Sequence, residues 1–416
     1  MDVLKVDWYT VELGREGEKS QPPTSFGWVD PVDYPARQTP GDFFPLGWIG
    51  QRAVFKLMSA DTTDLWAVPI STKGWRADGP AERLTVGLES VIHPGISTNR
   101  IVWAKVQTET NVWSMRVDGN TGKTKGEWEP VTTGIGERQR PNLSRNGKRL
   151  VFNDGFGIKV REINTGKETM ITTLGMHASL TADGSRVAYG APGRKGTSVM
   201  ALYVANLTGD VPERVCDECG FPSGGWSTDQ RKILYDWNVP QSVAVLDLKT
   251  GQRTELLREK GRAFTQAGFS PDDRWILFLA SAGPGRQRVY VIPYVEGTAV
   301  PKEDEWIAIT DGLALDSHPR WSPDGNLVYF LSNKDGSRCV WARRLDPRTK
   351  RPAGEPFAVW HFHSAIRSIS NVPAIGLIGL GVSTDRIVVN LGTSMGNIWM
   401  ADFGSSSPPP QANRAP

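Results

Sequence analysis

Cysteine is scarce in this sequence, long apolar runs are absent and neither sign of charge dominates, and each of these features excludes a class of protein. Three Cys in 416 residues do not make a disulfide framework. No apolar run approaches the roughly 18–20 residues that a membrane-spanning helix needs. The net charge is +3 and no run of five like charges occurs, so the composition gives no indication of nucleic-acid binding.

The N-terminal segment lacks the features of a signal peptide. The stretch MDVLKVDWYTVELGREGEK has no basic start, no long apolar middle and no small-residue cleavage site. For a complete chain this predicts a cytoplasmic protein. For a fragment of a longer sensor protein, a periplasmic or other extracytoplasmic location is expected instead.

The sequence is rich in turn residues and aromatics, with 44 Gly, 29 Pro and 16 Trp. Ser322–Gly325 reads Ser-Pro-Asp-Gly, and Ser270–Asp273 has nearly the same core. Pro presets φ at the second position of a type I turn, Asp tolerates the third, and Gly suits the positive φ that follows. The apolar runs NLVYFLS and RWILFLAS come after the two turns, which predicts a β-hairpin at each.

Degenerate copies of this turn and strand recur along the chain, and we count eight, of which the copy at Gly47 is the weakest. Successive copies lie about 37–61 residues apart, close to the repeat of about 40–50 residues that is typical of propeller blades. A second short β run, often with an aromatic residue, follows each turn. The Ser or Thr that opens the turn falls at Ser97, Ser144, Thr181, Ser227, Ser270, Ser322 and Ser383.

Four short strands per repeat, with no helical stretch between them, predict an all-β fold: a β-propeller of four-stranded antiparallel blades. The repeat count predicts eight blades, with seven as the second choice. A large ring at one position of the third strand would fill the space between neighbouring blades. We therefore expect the tryptophans of these strands to be mostly buried at one equivalent position, rather than to stack on a cofactor. They are Trp66, Trp113, Trp341 and Trp399.

The chain divides into three predicted regions: an N-terminal strand and loop over residues 1–42, the propeller over 43–403 and a Ser/Pro-rich, disordered tail over 404–416. The last repeat ends without a fourth strand, and the segment Val3–Leu13 would supply it and close the ring. The alternative is that Met1 cuts into an earlier blade of a longer chain.

The repeat unit resembles the TolB-like, WD-repeat-like β-propellers. More narrowly, RVCDECGFPSGGWSTDQRKILYD, PRWSPDGNLVYFLSNKDGSRCVWARRLDP and GNIWMADF are similar to the C-terminal propeller of certain bacterial serine/threonine protein kinases and winged-helix regulators. The resemblance covers about residues 43–403, and it implies a sensor or protein-interaction module. The chain has no kinase signature: a Gly-rich loop with its Lys, a His-Arg-Asp and an Asp-Phe-Gly are all missing.

Two short motifs could carry chemistry, and the sequence favours a structural interpretation of both. Gly392–Gly396 matches Gly-x-Ser-x-Gly around Ser394, but strand-like runs flank it and no His follows, so a hairpin turn is expected here. Cys216 and Cys219 have metal or redox spacing, yet one pair supplies only two of the four ligands of a structural zinc site. An inter-blade loop or a local disulfide explains this pair. We predict no catalytic residue, no cofactor and no metal ligand.

The tentative ligand-binding residues are His361, His363 and Arg367. The two His lie on one face of a strand because side chains alternate, and Arg367 is near in sequence. The alternative is an ordinary blade edge. The remaining His93, His177 and His318 precede turns at matching repeat positions, so the repeat accounts for them.

The sequence predicts a non-catalytic propeller that binds a protein or a small ligand of unknown identity, with no nucleic acid and no membrane span. The alternatives are a propeller hydrolase or lyase with a site in the central channel, and the propeller half of a peptidase. Carboxylates and His that converge on the axis would favour an enzyme.

Overall fold

The computed structural model is all-β in the residues it describes. These are residues 9–10, 24–25, 44–59, 62–73, 76–85, 91–97, 100–193, 200–238, 241–283, 285–298 and 300–402. Helical structure in these ranges is limited to 3₁₀ turns at Glu303–Glu305, Ile369–Asn371 and Ile375–Leu377. None of the described helices has the length and apolar character to cross a membrane.

The chain forms two compact units, residues 1–107 with 395–416 and residues 108–394. In unit 1, β1 and β2 pair with each other, and β3 to β6 form a four-stranded antiparallel sheet. β7 then pairs with the first part of β8. The bounds are β1 Tyr9–Thr10, β2 Thr24–Ser25, β3 Phe44–Ile49, β4 Arg52–Ser59, β5 Thr62–Pro69, β6 Glu82–Arg83, β7 Val91–Ile96 and β8 Arg100–Asp118.

Unit 2 contains five four-stranded antiparallel sheets, each made of consecutive strands. Short strands β9 Lys123–Thr124 and β10 Glu129–Pro130 precede them. The first two sheets are β11 Arg138–Leu143, β12 Arg149–Asp154, β13 Gly157–Glu162, β14 Glu168–Thr172, and β15 Met176–Leu180, β16 Arg186–Pro192, β17 Met200–Asn206, β18 Glu213–Cys216. The third and fourth are β19 Phe221–Trp226, β20 Lys232–Asn238, β21 Gln241–Asp247, β22 Arg253–Leu257, and β23 Phe264–Phe269, β24 Trp275–Ser281, β25 Gln287–Pro293, β26 Ile307–Ala308. The fifth is β27 Ser317–Trp321, β28 Leu327–Ser332, β29 Cys339–Arg344 and β30 Phe357–Trp360.

A sixth sheet of unit 2 joins the two ends of the unit. It contains β31 Arg367–Ser368, β32 Leu380–Val382 and β33 Arg386–Asp402. β32 pairs with β33, β33 pairs with β8, and β8 pairs with β10. The late strands thus occupy the first and second positions of the blade, and the early strands occupy the third and fourth. The division between the units falls within β8 and β33.

The first strands of the six sheets contact one another in a closed circle, from β11 through β15, β19, β23, β27 and β32 back to β11. Unit 2 by itself is therefore a β-propeller of four-stranded antiparallel blades, and the predicted fold class is confirmed. The predicted count of eight blades is not confirmed, since the described residues of unit 2 form six. The repeat signal counted hairpins along the whole chain, and its first two copies fall in unit 1.

The turn motif is structural. Ser322 Oγ donates to Asp324 Oδ1 at 2.6 Å and accepts from the Leu327 N–H at 2.8 Å, while Gly325 has a φ of 73°. Equivalent bonds from the opening hydroxyl recur in the other five blades of unit 2. Each hydroxyl accepts a hydrogen bond from a backbone N–H that the turn would otherwise leave without a partner.

The tryptophan prediction is correct in position for three of the four residues, and in burial only for Trp341. Trp66, Trp113 and Trp341 lie on third strands, each paired with the second residue of a fourth strand. Trp341 is 9% exposed, whereas Trp66 and Trp113 are only half-buried. Trp399 contradicts the prediction, because it lies on β33 and is 50% exposed.

The three predicted regions stay a prediction. Of the segment Val3–Leu13 the structure describes Tyr9 and Thr10, which pair with Ser25 and Thr24. The tail over 404–416 lies outside the described residues.

Candidate functional site

The first strands of unit 2 carry β-bulges that place a polar residue at one recurring position. Arg140, His177, Gln266 and His318 each lie at such a register shift, with φ values of 51°, 54°, 57° and 53°. A positive φ is unfavourable for residues other than Gly, and strain of this kind is concentrated at functional positions. The bulges therefore mark a candidate site at the centre of the ring.

These four residues and Arg320 line a cavity of about 290 Å³, and we call them the channel site. The cavity is held by hydrogen bonds between neighbouring blades. Asp236 accepts from the Gln266 N–H at 2.9 Å, and Gln266 Oε1 accepts from the His318 N–H at 2.6 Å. The side chain of one blade thus satisfies the irregular backbone of the next blade.

The channel site is cationic at neutral pH. Burial lowers the pKa of Arg320 to about 10. Because this value is still well above 7, the guanidinium stays charged at neutral pH. Burial also lowers the pKa of Arg140. Arg145 lines an adjoining cavity of about 90 Å³ together with Arg320. The nearby carboxylates of Asp236, which acts on Arg320, and Asp273, which acts on Arg145, offset part of this charge.

The histidines of the channel site are neutral at pH 7. Burial, followed by the charges of Arg320 and Arg338, lowers the pKa of His318 to about 3. Burial, followed by the charge of Arg140, lowers the pKa of His177 to about 3 as well. Each imidazole can therefore donate one hydrogen bond and accept another.

Two buried polar atoms of the cavity wall have no hydrogen-bond partner among the described residues. They are His318 Nδ1 and Gln287 Oε1. Buried polar atoms almost always have hydrogen-bond partners in native proteins. Two such atoms without partners among the residues lining one cavity therefore indicate a polar ligand or ordered water.

The predicted residues His361 and His363 lie in a second place, just after β30. His361 Nδ1 is 2.7 Å and His363 Nε2 is 3.0 Å from the same oxygen, Asp335 Oδ2. Cys339 is the fourth member, and the donor atoms of all four lie within 4.8 Å of one another. We call Asp335, Cys339, His361 and His363 the histidine cluster.

The two remaining members of the cluster differ in electrostatics. Partial burial works to raise the pKa of Asp335, but hydrogen bonds from His363 and His361 outweigh it and hold the pKa below its usual value. Burial raises the pKa of the Cys339 thiol to about 11. The Phe362 N–H donates to Cys339 Sγ at 3.2 Å.

Arg367, the third predicted residue, lies in the same depression as the two His but binds neither of them. Its guanidinium stacks over the Trp113 ring at 4.2 Å, a cation–π contact. Trp113, His361, His363 and Arg367 together line an open depression of about 440 Å³.

The two short motifs have plain structural settings. Ser394 lies inside the continuous strand β33, so the predicted hairpin turn at Gly392–Gly396 is wrong. Ser394 Oγ is 3.1 Å from Thr108 Oγ1, and the Ser394 N–H donates to the Ile366 carbonyl. Cys216 and Cys219 form a disulfide with a Cα–Cα distance of 5.8 Å, so this pair is a local disulfide in the structure.

The class that this geometry defines is a β-propeller with a cationic central channel. No family model matches the chain. An uncharacterised protein of Agrobacterium fabrum is 27% identical over 205 residues, 47% of this chain, and the match spans 65% of that protein, less than two thirds of its length.

Among solved structures, a protein assigned as TolB from Agrobacterium tumefaciens has a TM-score of 0.49 at 20% identity, covering 61% of this chain and 90% of that one. TolB from Acinetobacter baumannii has a TM-score of 0.44 at 12% identity, with coverages of 84% and 81%. An oligogalacturonate lyase in complex with manganese has a TM-score of 0.42 at 12% identity, with coverages of 64% and 79%. The chain is similar to these proteins in fold, and the propeller class itself rests on the sheets described above. The narrower resemblance to kinase-attached propellers stays a prediction.

Sequence reasoning missed the channel site and half of the histidine cluster. The signal for the first was present: Arg140, His177, Gln266 and His318 each lie four residues before the Ser or Thr of a turn. The two His among them do lie at a repeat position, as predicted, but they also line a cavity, which the prediction did not include. Asp335 lies beside both His361 and His363 although it is distant from them in sequence.

Proposed function

We propose that this propeller is a ligand-sensing module whose central channel binds a small anion, a carboxylate or phosphate compound. The observation that carries the proposal is the arginine-lined cavity with an unpaired His318 Nδ1. The protein-interaction role that the resemblance implies stays a prediction beside it.

Charge favours an anion. Arg140, Arg145 and Arg320 line the two adjoining cavities, and the carboxylates that act on them are Asp236, beside Arg320, and Asp273, beside Arg145. Buried charges without enough counter-charge are costly, and a bound anion would lower that cost. Arginine also suits carboxylate and phosphate groups, because its planar fork binds two oxygens at once.

Size limits the ligand. A cavity of about 290 Å³ lies just below the range that small-molecule sites occupy, roughly 300–1,000 Å³. The ligand is therefore expected to be about as large as a dicarboxylic acid, a phosphorylated metabolite or a single uronic acid residue.

Calorimetric titration tests the proposal, with phosphate, citrate, galacturonate and a digalacturonate as probes and neutral galactose as the comparison ligand. We expect one anion to bind at one site per chain and galactose not to bind. Arg145→Gln and Arg320→Met should each weaken binding at least about tenfold, since a hydrogen bond to a charged group contributes about 1.5–3 kcal/mol.

The matched control is Arg253→Gln, which removes an exposed guanidinium of β22 and should leave the affinity unchanged. Equal affinity in wild type and in both channel variants would contradict the proposal, as would binding of none of the four anions.

The enzyme alternative is examined in the same titrations, because neutral His318 and His177 beside arginine could also move a proton. Chromatography of each probe after incubation separates the two functions. Recovery of the unchanged anion supports the sensing function, whereas its conversion, lost in Arg320→Met, would replace that function with a catalytic one.

A further inference from the structure

The histidine cluster has a donor set that the channel site lacks. Two imidazole nitrogens, one carboxylate oxygen and one sulfur converge within 4.8 Å of one another. Nitrogen and sulfur donors select zinc-like transition metals, whereas calcium and magnesium require mostly oxygen. We propose that Asp335, Cys339, His361 and His363 form a four-ligand site for Zn²⁺ or a similar divalent transition-metal ion.

The fold brings the four donors together without help from a ligand. Asp335 lies in the turn between β28 and β29, and Cys339 is the first residue of β29. Val340 pairs with Trp360 across β29 and β30, so the chain beyond β30 runs beside Cys339. Alternation along this extended segment turns His361 and His363 to the same side, with Phe362 buried between them.

The distances are close to those of a tetrahedral site. Zinc bonds of about 2.0–2.3 Å place neighbouring ligand atoms roughly 3.3–3.8 Å apart. Asp335 Oδ2 is already 2.7 Å from His361 Nδ1 and 3.0 Å from His363 Nε2. To hold an ion, the two Asp335 contacts must lengthen by roughly 0.3–0.6 Å or somewhat more, and any donor pair near the 4.8 Å limit must shorten by about 1 Å, which side-chain rotation can supply. The imidazoles are about half exposed, at 50% and 52%, so the ion can enter from solvent.

The surroundings of the sulfur also suit a metal ligand. Cys339 is fully buried, and the Phe362 N–H donates to its sulfur at 3.2 Å. A backbone N–H that donates to sulfur stabilises the thiolate and orients it, as outer partners do around structural metals. A bound divalent cation would supply the positive charge that this buried sulfur lacks.

The competing explanation is a pair of ordinary hydrogen bonds from two imidazoles to one carboxylate. Such bonds on an exposed surface contribute little to stability. They also require neither Cys339 nor any ion, so metal binding and sulfur ligation separate the two explanations.

The test uses untagged full-length chain without reductant, so that the Cys216–Cys219 disulfide stays closed. Zn²⁺ titrated by calorimetry should bind at one site per chain and raise the melting temperature, because the ion binds the folded state. His361→Ala and His363→Ala should each weaken binding at least tenfold and abolish the thermal shift. Both side chains are half exposed, so both variants should fold.

Cobalt identifies the sulfur ligand. The Co²⁺-loaded protein should show a thiolate-to-cobalt charge-transfer band, which Cys339→Ser removes. The Cys216→Ser/Cys219→Ser double variant should keep the band, and Asp304→Asn, which alters an exposed carboxylate of the 3₁₀ turn at Glu303–Glu305, should keep Zn²⁺ affinity. Absence of one-to-one Zn²⁺ binding to the wild-type protein, or wild-type Zn²⁺ affinity in both His variants, would overturn the proposal. A cobalt derivative without the thiolate band would overturn the four-ligand site.

Discussion

The channel site and the histidine cluster lie in the same propeller, yet the fold builds them by different means. The channel site takes four equivalent residues from four blades, each at a first-strand bulge with positive φ, and adds Arg320 from one of these strands. The histidine cluster takes four residues from one blade. Asp335 and Cys339 lie in and just after the turn between β28 and β29, and His361 and His363 follow the fourth strand β30. A repeat fold can therefore make a site by placing one position many times or by joining non-repeated ends once.

The two sites also differ in solvent contact and charge. His318 is 6% exposed and faces arginines, whereas His361 and His363 are half exposed and share a carboxylate. Burial beside cations keeps an imidazole neutral, whereas the negative charge of a carboxylate beside two imidazoles attracts a cation. The channel is therefore suited to anions and the cluster to a metal ion, and a substitution at one site is expected to leave ligand binding at the other unchanged.

The largest effect is expected for Trp341→Ala. Trp341 packs in the core between blades, and its ring meets the His361 ring edge-on at 5.8 Å. Loss of this ring should lower the free energy of unfolding by about 3–5 kcal/mol, as for other buried large aromatics. Urea denaturation measures the loss, and Trp399→Ala, which removes a half-exposed ring, should cost less than about 1 kcal/mol.

The same Trp341→Ala protein sharpens the comparison between the sites. Zn²⁺ affinity should fall because His361 loses its packing partner, while anion affinity of the channel should stay at the wild-type value. A parallel loss at both sites would show that they are coupled. A stability loss below about 1 kcal/mol would show that the ring does not fill the blade interface.

A smaller effect is expected from acidification through His318. Its pKa is about 3 in the folded protein and near 6.5 in the unfolded chain, so between these values the unfolded chain binds the extra proton. Stability therefore falls as pH decreases, by about 2 kcal/mol for this residue between pH 7 and pH 5.

Urea denaturation at both pH values measures this change. His318→Gln should flatten the pH dependence by that amount, and His177→Gln should flatten it in the same direction because burial lowers the pKa of His177 too. Ser394→Ala, which carries no titrating group, should keep the wild-type slope. A wild-type slope in His318→Gln would mean that the channel is wet enough to hold a charged imidazole.

The sequence predicted the fold well because the fold is repeated. The Ser322 turn and its relatives recur with the same hydrogen bonds, and hairpins of apolar strands follow them. It did not predict the ring size, since a turn signal does not say which hairpins close one circle. Closure depends on β8 and β33, two strands of one blade that are more than 250 residues apart in sequence.

The candidate sites were harder to predict for a related reason. His361 and His363 could be found because they are two residues apart on one extended segment, but Asp335 approaches them only through the β29–β30 ladder. The channel side chains could be aligned by their offset from the turn. Their convergence, however, follows from the bulges, which one sequence does not reveal.

The smallest effect is expected for Ser394→Ala. Ser394 lies within strand β33, and its hydroxyl is 3.1 Å from the Thr108 hydroxyl, which is not a base. A nucleophilic serine needs a base within roughly 2.6–3.2 Å, so we expect no labelling of the wild-type protein by a fluorophosphonate probe. The substitution should change the free energy of unfolding by at most about 1 kcal/mol, the contribution of one hydroxyl hydrogen bond. It should leave both the anion affinity of the channel and the Zn²⁺ affinity of the histidine cluster unchanged. Labelling that disappears in Ser394→Ala would instead show that Ser394 is a nucleophile, and the Gly-x-Ser-x-Gly match would then mark a third functional site in this propeller.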